Sequence, residues 1–213
     1  MTTTVDNRAA LGRIGKPALY AAYIGPFQSA AGWLIAGSMW PGYDPVRQTI
    51  SDLAANESPV QLIMSAFFVL GGVLTLIAAI YGRTLAMPGR VALFVAAICT
   101  FGLTIFPTPL GVGEYSIMHR IFAISSFVLS AGWPLLAMRK RKDAPWIIRP
   151  TASIIGTALQ TVLALWFLSS WTDPTNTTVG VWERVVAVSQ ALYVSVVLVV
   201  CYFSQAKSSN QPR

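Results

Sequence analysis

Long apolar stretches alternate with short polar ones along nearly the whole chain. Each apolar stretch has roughly 16–21 residues, close to the ~20 that a helix needs to cross a hydrocarbon core of about 30 Å. Stretches of this length are too long for barrel strands, and a helix satisfies its backbone hydrogen bonds internally. The pattern predicts an all-α fold, a bundle of six transmembrane helices at about 20–39, 60–80, 91–106, 121–138, 154–171 and 185–203.

The overall composition agrees with this pattern. The chain has 213 residues, of which 54% are hydrophobic and 11% charged, and its mean hydropathy is +0.59. These values lie outside the usual balance of a soluble globular domain. We therefore expect an integral membrane protein with a membrane domain at 18–204, preceded by a tail at 1–17 and followed by one at 205–213.

The basic residues predict the orientation of the bundle. With six spans the connecting segments fall into two sets, and twelve of the fifteen lysines and arginines belong to the set that includes both termini. By the positive-inside rule, both termini should be cytoplasmic. The run RKRK at 139–142 lies next to a span end, so we interpret it as an anchor to anionic lipid head groups and expect no nucleic acid partner.

The segment WPGYDPVRQTISDLAANESP, at 40–59, is the most polar region between two apolar stretches. Asp44 suits the N-cap of a helix, and Pro45 suits its first turn. Val46, Ile50 and Leu53 then share one face. This spacing predicts a short amphipathic helix in the first outer loop, at the membrane boundary.

The fourth and sixth spans begin alike, with HRIFAIS at 119–125 and ERVVAVS at 183–189. In each, a polar residue precedes an arginine at the same depth. Arginines at span ends often extend toward the interface as anchors. Alternatively, Arg120 and Arg184 point into the bundle and pair with acids of the outer loops.

Six of the eight acids, three arginines and His119 belong to the outer segments, so we expect the chemistry there. A hydroxyl nucleophile with a histidine base and an orienting acid is the arrangement that such residues can form. Ser51, His119 and Asp52 are the candidate catalytic residues, with Thr49 or Ser116 as alternative nucleophiles and Glu114 as an alternative acid. A lone histidine at a helix start is, however, more often a hydrogen-bonded structural residue. The remaining members of the predicted polar cap are Asp44, Arg47, Gln48, Glu114, Arg120, Glu183 and Arg184.

The residue types argue against a metal or a cofactor. A single histidine cannot supply bis-histidine ligation, and Cys99 and Cys201 both fall inside apolar stretches. Neither a zinc site nor a haem site is recognisable, and no glycine-rich nucleotide loop is present. We therefore expect no metal and no cofactor.

The segment YDPVRQTISDLA at 43–54, the polar loop that leads to His119, and GVWER at 180–184 resemble the domain-of-unknown-function 998 family of bacterial multi-spanning membrane proteins. The resemblance covers about residues 20–204. It implies a six-helix-like architecture and a location in the bacterial inner membrane. It implies no activity.

Two functional hypotheses follow. In the first, the outer polar site binds a lipid head group or a small amphiphile, with membrane lipids as partners, and hydrolysis is the reaction if there is one. In the second, the chain is a non-catalytic permease or partner-stabilising subunit whose cap is a structural network of ion pairs. Ion-coupled transport is less attractive, because the spans carry no charged residue near their middle.

Overall fold

The computed structural model describes residues 11–110 and 114–209. Most of the predicted N-terminal tail (1–10), the last four residues (210–213) and part of the predicted second outer loop (111–113) lie outside the described residues. Within the described ranges the chain has α-helices and no strand, and a single isolated bridge joins Ile14 to Gly82. The all-α prediction is therefore confirmed for these residues.

In the described part of the chain, six α-helices are long and one is very short. A 3₁₀ turn at Trp146–Ile148 precedes α6. Each predicted apolar stretch falls on one long helix, with ends that differ by one to six residues. The helices are α1 (Lys16–Ser38), α2 (Ile50–Leu53), α3 (Gln61–Tyr81), α4 (Met87–Ile105), α5 (Ile117–Leu136), α6 (Pro150–Thr172) and α7 (Val179–Ser209).

Among the described residues, four helices are long and apolar enough to cross a membrane, namely α3, α4, α6 and α7. Their side chains face outward to a large extent, as expected for helices surrounded by lipid. The other two long helices, α1 and α5, carry more polar residues, including Lys16, Gln28, His119 and Arg120. The membrane crossing of α1 and α5, and the side on which the termini lie, stay predictions.

The six long helices form a closed ring. Each packs against its neighbours in chain order, α1 against α3, then α4, α5, α6 and α7, and α7 returns to α1. Short connections make successive helices antiparallel, as in other helix bundles. One end of the ring carries α2, and we call it the α2 end. The opposite end, where α1 begins, is the terminal end.

Arginines at the terminal end bind backbone carbonyls. Arg139 donates from Nε to Thr84 O at 3.1 Å and from Nη2 to Leu85 O at 2.9 Å. Burial is the main cause that lowers the Arg139 pKa. Arg141 pairs with Asp143 at 2.7 Å. Part of the basic run therefore fastens the α5–α6 connection to the α3–α4 connection, and its contact with lipid head groups stays a prediction.

The predicted amphipathic helix begins later than expected. Asp44 does not cap a helix, since its Oδ1 accepts from Val46 N at 2.9 Å within a turn. The helix α2 begins only at Ile50 and has four residues. Ile50 and Leu53 are buried, whereas Val46 is exposed. The predicted apolar face is thus reduced to two residues that belong to the protein core.

A capping box at Thr49 explains the later start. Thr49 has an extended backbone, and its Oγ1 accepts from Asp52 N at 3.1 Å. In return, Asp52 Oδ2 accepts from Thr49 N at 2.7 Å. This reciprocal pair satisfies two amides that a helix start would otherwise leave without partners. The extended backbone at Thr49 separates α2 from the turn that follows Asp44.

Replacing Thr49 by Ala should lower the free energy of unfolding by about 1 kcal/mol, because a helix start loses its hydroxyl acceptor. Thermal unfolding of the detergent-purified protein measures the change. Thr49→Ser keeps the hydroxyl and should stay close to the wild type. Equal losses in the two variants would mean that the methyl group of Thr49, rather than the cap, stabilises this segment.

Candidate functional site

A pocket of about 130 Å³ lies at the α2 end, between α2, α5, α6 and α7. Four chemically active side chains line one side of it: Ser51, Asp52, His119 and Glu183. Three of them are the predicted catalytic residues, and the fourth was predicted for the polar cap. The structure therefore brings together residues that are as far as 132 positions apart in the chain.

The remaining wall of the pocket is apolar and belongs to α5 and α6. Ile124, Val128 and Leu165 contribute to it and are also exposed on the outside of the bundle. Phe127 and Phe167 line it further in, with ring centroids 5.0 Å apart. The pocket is thus polar toward α2 and apolar along the two long helices.

Glu183 fixes the start of α2. It belongs to the second turn of α7, and its side chain is buried. The carboxylate accepts from the backbone N–H of Ile50 and, at 3.2 Å, from the Ser51 hydroxyl. The first amides of a helix lack internal partners and favour a negative group. Glu183 therefore positions Ser51 as well as serving as a pocket wall.

His119 is buried on the first turn of α5, whose N-cap is Ser116. Its Nδ1 lies 3.0 Å from the carbonyl oxygen of Phe106. A carbonyl only accepts, so this contact places a proton on Nδ1 and, in the neutral ring, leaves Nε2 as an acceptor. The imidazole thus has one nitrogen held by the backbone and one available for other contacts.

Asp52 faces the pocket while it completes the capping box of α2. Burial raises the pKa of its carboxyl, although the hydrogen bonds from Thr49 and the nearby charges of His119 and Arg184 act in the opposite direction. The carboxyl is consequently easier to protonate than an exposed aspartate.

The predicted serine–histidine–aspartate relay has different hydrogen bonds from those expected. The Ser51 hydroxyl donates to Glu183, and the His119 ring is held by Phe106 O. No hydrogen bond joins Ser51 to His119 among the residues that the structure describes. The carboxylate beside the serine is Glu183, because α7 lies closer to the start of α2 than α5 does. The predicted residues share one pocket without forming the predicted chain of contacts.

Arg184 is buried beside the pocket and binds backbone carbonyls. Its Nη1 donates to Pro45 O at 2.8 Å, to Gln48 O at 3.0 Å and to Gly180 O at 2.7 Å. Its Nη2 donates to the Tyr43 hydroxyl. Among the described residues, no carboxylate forms a salt bridge with it. Of the two alternatives, Arg184 points into the bundle, but its pairing with an outer acid is wrong. Carbonyl oxygens bind its Nη1 and the Tyr43 hydroxyl binds its Nη2, while its buried Nε has no partner among the described residues.

Tyr43 connects Arg184 to the turn before α2. Its hydroxyl donates to Thr49 O at 2.7 Å while it accepts from the guanidinium. Burial raises the pKa of Tyr43 well above its ordinary value, so the phenol stays protonated. Its ring stacks on Trp40 at 5.4 Å, and Arg184 lies 5.1 Å from the Trp33 ring centroid. These contacts hold the segment between α1 and α2 in place.

The other predicted cap residues lie at the surface. Asp44 and Arg47 form an exposed pair at 3.7 Å, and Gln48 Oε1 accepts from Asp44 N at 2.8 Å. Glu114 is exposed and does not line the pocket. Arg120 is also exposed, and its guanidinium lies 4.3 Å from the Tyr115 ring centroid. The predicted cap is therefore divided into a buried part around Glu183 and Arg184 and a solvent-facing part.

A family model described as "Protein of unknown function (DUF998)" matches residues 23–200. The chain belongs to the DUF998 family. This match confirms the resemblance drawn from the segments around Asp52, His119 and Arg184. No curated protein and no solved structure matches the chain.

The two copies of the short repeat in this DUF998 chain have similar surroundings at one of their two polar positions and different surroundings at the other. His119 and Glu183 are equivalent in the repeat, and both are buried in the same pocket. Arg120 and Arg184 are also equivalent, yet only Arg184 is enclosed. The difference arises because the 43–49 segment packs over the start of α7, whereas Arg120 lies on the Tyr115 and Trp171 rings.

Sequence reasoning missed several residues of the DUF998 site. Tyr43, Thr108 and Trp171 each contact either the pocket or its supporting network. Thr108 is close because the loop after α4 is tied to the loop after α2, through Asn56 N to Thr108 O at 3.3 Å and Leu110 N to Glu57 at 3.0 Å. The one signal available was the tyrosine directly before Asp44 in the family-like segment.

Proposed function

We propose that this DUF998 chain binds an amphiphilic molecule in the pocket at the α2 end. The head group would contact Ser51, Asp52, His119 and Glu183, and the hydrocarbon part would lie along α5 and α6. One observation carries this proposal: the same cavity is polar at the α2 end and apolar along α5 and α6, and part of its apolar lining is also exposed on the outer surface of the bundle. A ligand with a polar end and an apolar end fits such a pocket.

The charge of the lining indicates the chemistry of the head group. Two carboxyl groups and one imidazole face the cavity, and no lysine or arginine is among its described lining residues. Arg184 does not line the cavity, since carbonyls and the Tyr43 hydroxyl hold its two terminal nitrogens, and Arg120 is exposed outside it. A head that donates hydrogen bonds, such as a polyol or an amine, is therefore favoured over a phosphate, which needs cationic or N–H donors.

Hydrolysis is a second candidate, supported by the hydrogen bond from Ser51 to Glu183 at 3.2 Å. A serine is a weak nucleophile unless an adjacent base takes its proton. In such a reaction Ser51 would attack an ester carbonyl of the ligand while Glu183 accepts the hydroxyl proton. The ester C–O bond would then break, the leaving alcohol would take that proton, and water would hydrolyse the acyl-serine. His119 Nε2 would accept a hydrogen bond from the bound head group.

A non-catalytic role, as a permease or as a subunit that stabilises a partner, has support of its own. Glu183 and Arg184 both bind the segment that leads into α2, which is what a purely structural lock would require. In this alternative, substitutions in the pocket would change the stability of the protein without changing the binding of any amphiphile.

Titration of purified protein with monoolein, whose head is an uncharged diol, tests the proposal. Native mass spectrometry measures the fraction of protein that has bound monoolein, in a detergent that monoolein can displace from the pocket. We expect Asp52→Asn or Ser51→Ala to weaken binding roughly tenfold, the effect of losing one hydrogen bond to a charged or buried partner. Lysophosphatidic acid, with the same acyl chain and a phosphate head, should bind more weakly than monoolein to the wild type.

Glu114→Gln is the matched control, because Glu114 is exposed and outside the pocket. It should bind monoolein like the wild type. Stronger retention of lysophosphatidic acid, or variants that lose stability but bind equally, would contradict the proposal. Release of oleic acid from monoolein, abolished in Ser51→Ala, would establish the hydrolytic function in addition to binding.

A further inference from the structure

A second cavity, of about 210 Å³, lies at the centre of the helix ring. Five of the six long helices line it, and Ile50 of α2 lies at one end. On α3 its lining extends from Met64 to Ala78, a distance of about 20 Å at a rise of about 1.5 Å per residue. Phe127 lines both this cavity and the pocket at the α2 end, so its ring lies between them.

Neutral polar side chains form a belt around the middle of the central cavity. Polar residues in the core of a membrane bundle commonly join neighbouring helices by hydrogen bonds. Several of these residues do so: Ser195 donates to Ala22 O at 2.6 Å, and Gln190 donates to Phe127 O at 3.2 Å. The polar residues of the belt are Gln28, Ser29, Thr75, Thr100, Ser126, Ser130, Gln190 and Ser195.

Gln28 departs from that pattern. Its side-chain oxygen Oε1 is buried, and no hydrogen-bond partner for it exists among the described residues. A buried amide oxygen without a donor is unfavourable. Gln28 lines the cavity, so a rotation of its side chain would present Oε1 to a molecule inside, which can supply the missing donor.

Apolar clusters border the cavity at both ends. At the α2 end, Ile50, Leu53 and Met64 belong to one buried cluster. At the terminal end, Leu93 and Leu198 belong to another. An occupant would therefore lie between apolar side chains along the axis of the ring.

We infer that the central cavity binds a small uncharged molecule with O–H or N–H donors, and that Gln28 Oε1 is an acceptor for it. The volume of about 210 Å³ far exceeds the roughly 10–15 Å³ that one water needs. No charged residue is among the described lining residues, so an ion would be buried without a counter-charge. This site is separate from the proposed amphiphile pocket and does not depend on it.

A cysteine in the cavity wall tests the inference. Ser130→Cys is a conservative replacement, and the wild type, whose Cys99 and Cys201 are buried, gives the background. The reagents are methyl methanethiosulfonate, which is uncharged, and its anionic 2-sulfonatoethyl analogue. We expect the uncharged reagent to modify Ser130→Cys about 100-fold faster than the anionic one, because the charge would have to leave water.

Two further positions calibrate the rates. Asn56→Cys, at an exposed site, should react with both reagents, and Val162→Cys, on the outward surface of α6, should react slowly with both. Equal reaction of Ser130→Cys with both reagents would indicate a water-filled passage and overturn the inference. Failure of the uncharged reagent to modify it would overturn the inference as well.

Protection by formamide tests the role of Gln28. Formamide is small, is uncharged and donates N–H bonds. At a concentration near twice its Kd, it should slow modification of Ser130→Cys about threefold. In the Gln28→Leu background this protection should disappear, since leucine has a similar size and no acceptor. Equal protection with and without Gln28 would show that Gln28 is not the acceptor.

Discussion

Arg184→Gln is expected to lower the free energy of unfolding by about 3–5 kcal/mol. The wild-type guanidinium donates to three carbonyl oxygens, those of Pro45, Gln48 and Gly180. A glutamine is too short to reach all three, so buried acceptors would lose their donors. The segment before α2 would also lose its attachment to α7. Thermal and denaturant unfolding of the detergent-purified protein should both detect the loss.

Arg120→Gln is the matched control, because Arg120 occupies the equivalent position of the repeat in α5. Its guanidinium is exposed over the Tyr115 ring, a contact that contributes only about 0.5–1 kcal/mol. Arg184→Lys should rescue little, since an ammonium cannot reproduce the planar donor geometry of a guanidinium. Equal losses in Arg184→Gln and Arg120→Gln would contradict the structural role assigned to Arg184.

The helices were predictable because lipid imposes a strong pattern on the sequence. Backbone groups in a membrane must bond internally, so each apolar stretch had to be helical. The apolar stretch predicts a last helix at 185–203, yet α7 already starts at Val179. Its second turn carries Glu183 and Arg184, which are buried in the protein interior rather than in lipid. Hydropathy alone cannot detect such a polar turn.

The residues of the pocket were predictable and their partners were not. The outer segments contain few ionisable side chains, so His119, Asp52 and Glu183 were natural candidates. Charge patterns suggest carboxylates as partners for an arginine, but Arg184 binds backbone oxygens, which every residue carries and no sequence pattern marks. The exposed position of Arg120 was equally hidden, because the two halves of the repeat read alike.

The start of α2 shows how two valid local signals compete. Asp44 followed by proline and Thr49 followed three residues later by Asp52 both suit a helix start. The second signal determines the structure, because Glu183 binds the first amide and hydroxyl of the helix that begins at Ile50. This contact comes from a helix more than a hundred residues away, so the choice between the two signals depends on the tertiary fold.

The central cavity could not be foreseen from sequence. Gln28 and Gln190 are single polar residues in apolar stretches, and many such residues only join helices. A cavity arises when the surrounding side chains leave space, which depends on how the whole ring closes. Small residues, by contrast, are visible in the sequence and mark close contacts between helices, as Gly89 does against Ala137.

Gly89→Ala is expected to lower the free energy of unfolding by about 3 kcal/mol through overpacking. A Cβ atom at Gly89 would lie 2.3 Å from Ala137 Cβ and 2.5 Å from Ala137 Cα. The obstacle includes backbone, so no side-chain rotation can relieve it. Ala137 is also held on both sides, since its N–H donates to Trp133 O at 2.8 Å and its carbonyl accepts from Ala86 N at 3.1 Å. The start of α4 and the end of α5 would therefore have to separate.

Gly132→Ala, in α5, is the matched control for Gly89→Ala, because a Cβ at Gly132 meets nothing within 4 Å. Alanine has a higher helix propensity than glycine, so Gly132→Ala should leave stability unchanged or raise it by about 0.5–1 kcal/mol. Unfolding of the two variants in the same detergent gives the comparison. A small effect of Gly89→Ala would mean that α4 and α5 can shift apart at low cost, and the close contact at Ala137 would then contribute little to holding the ring closed.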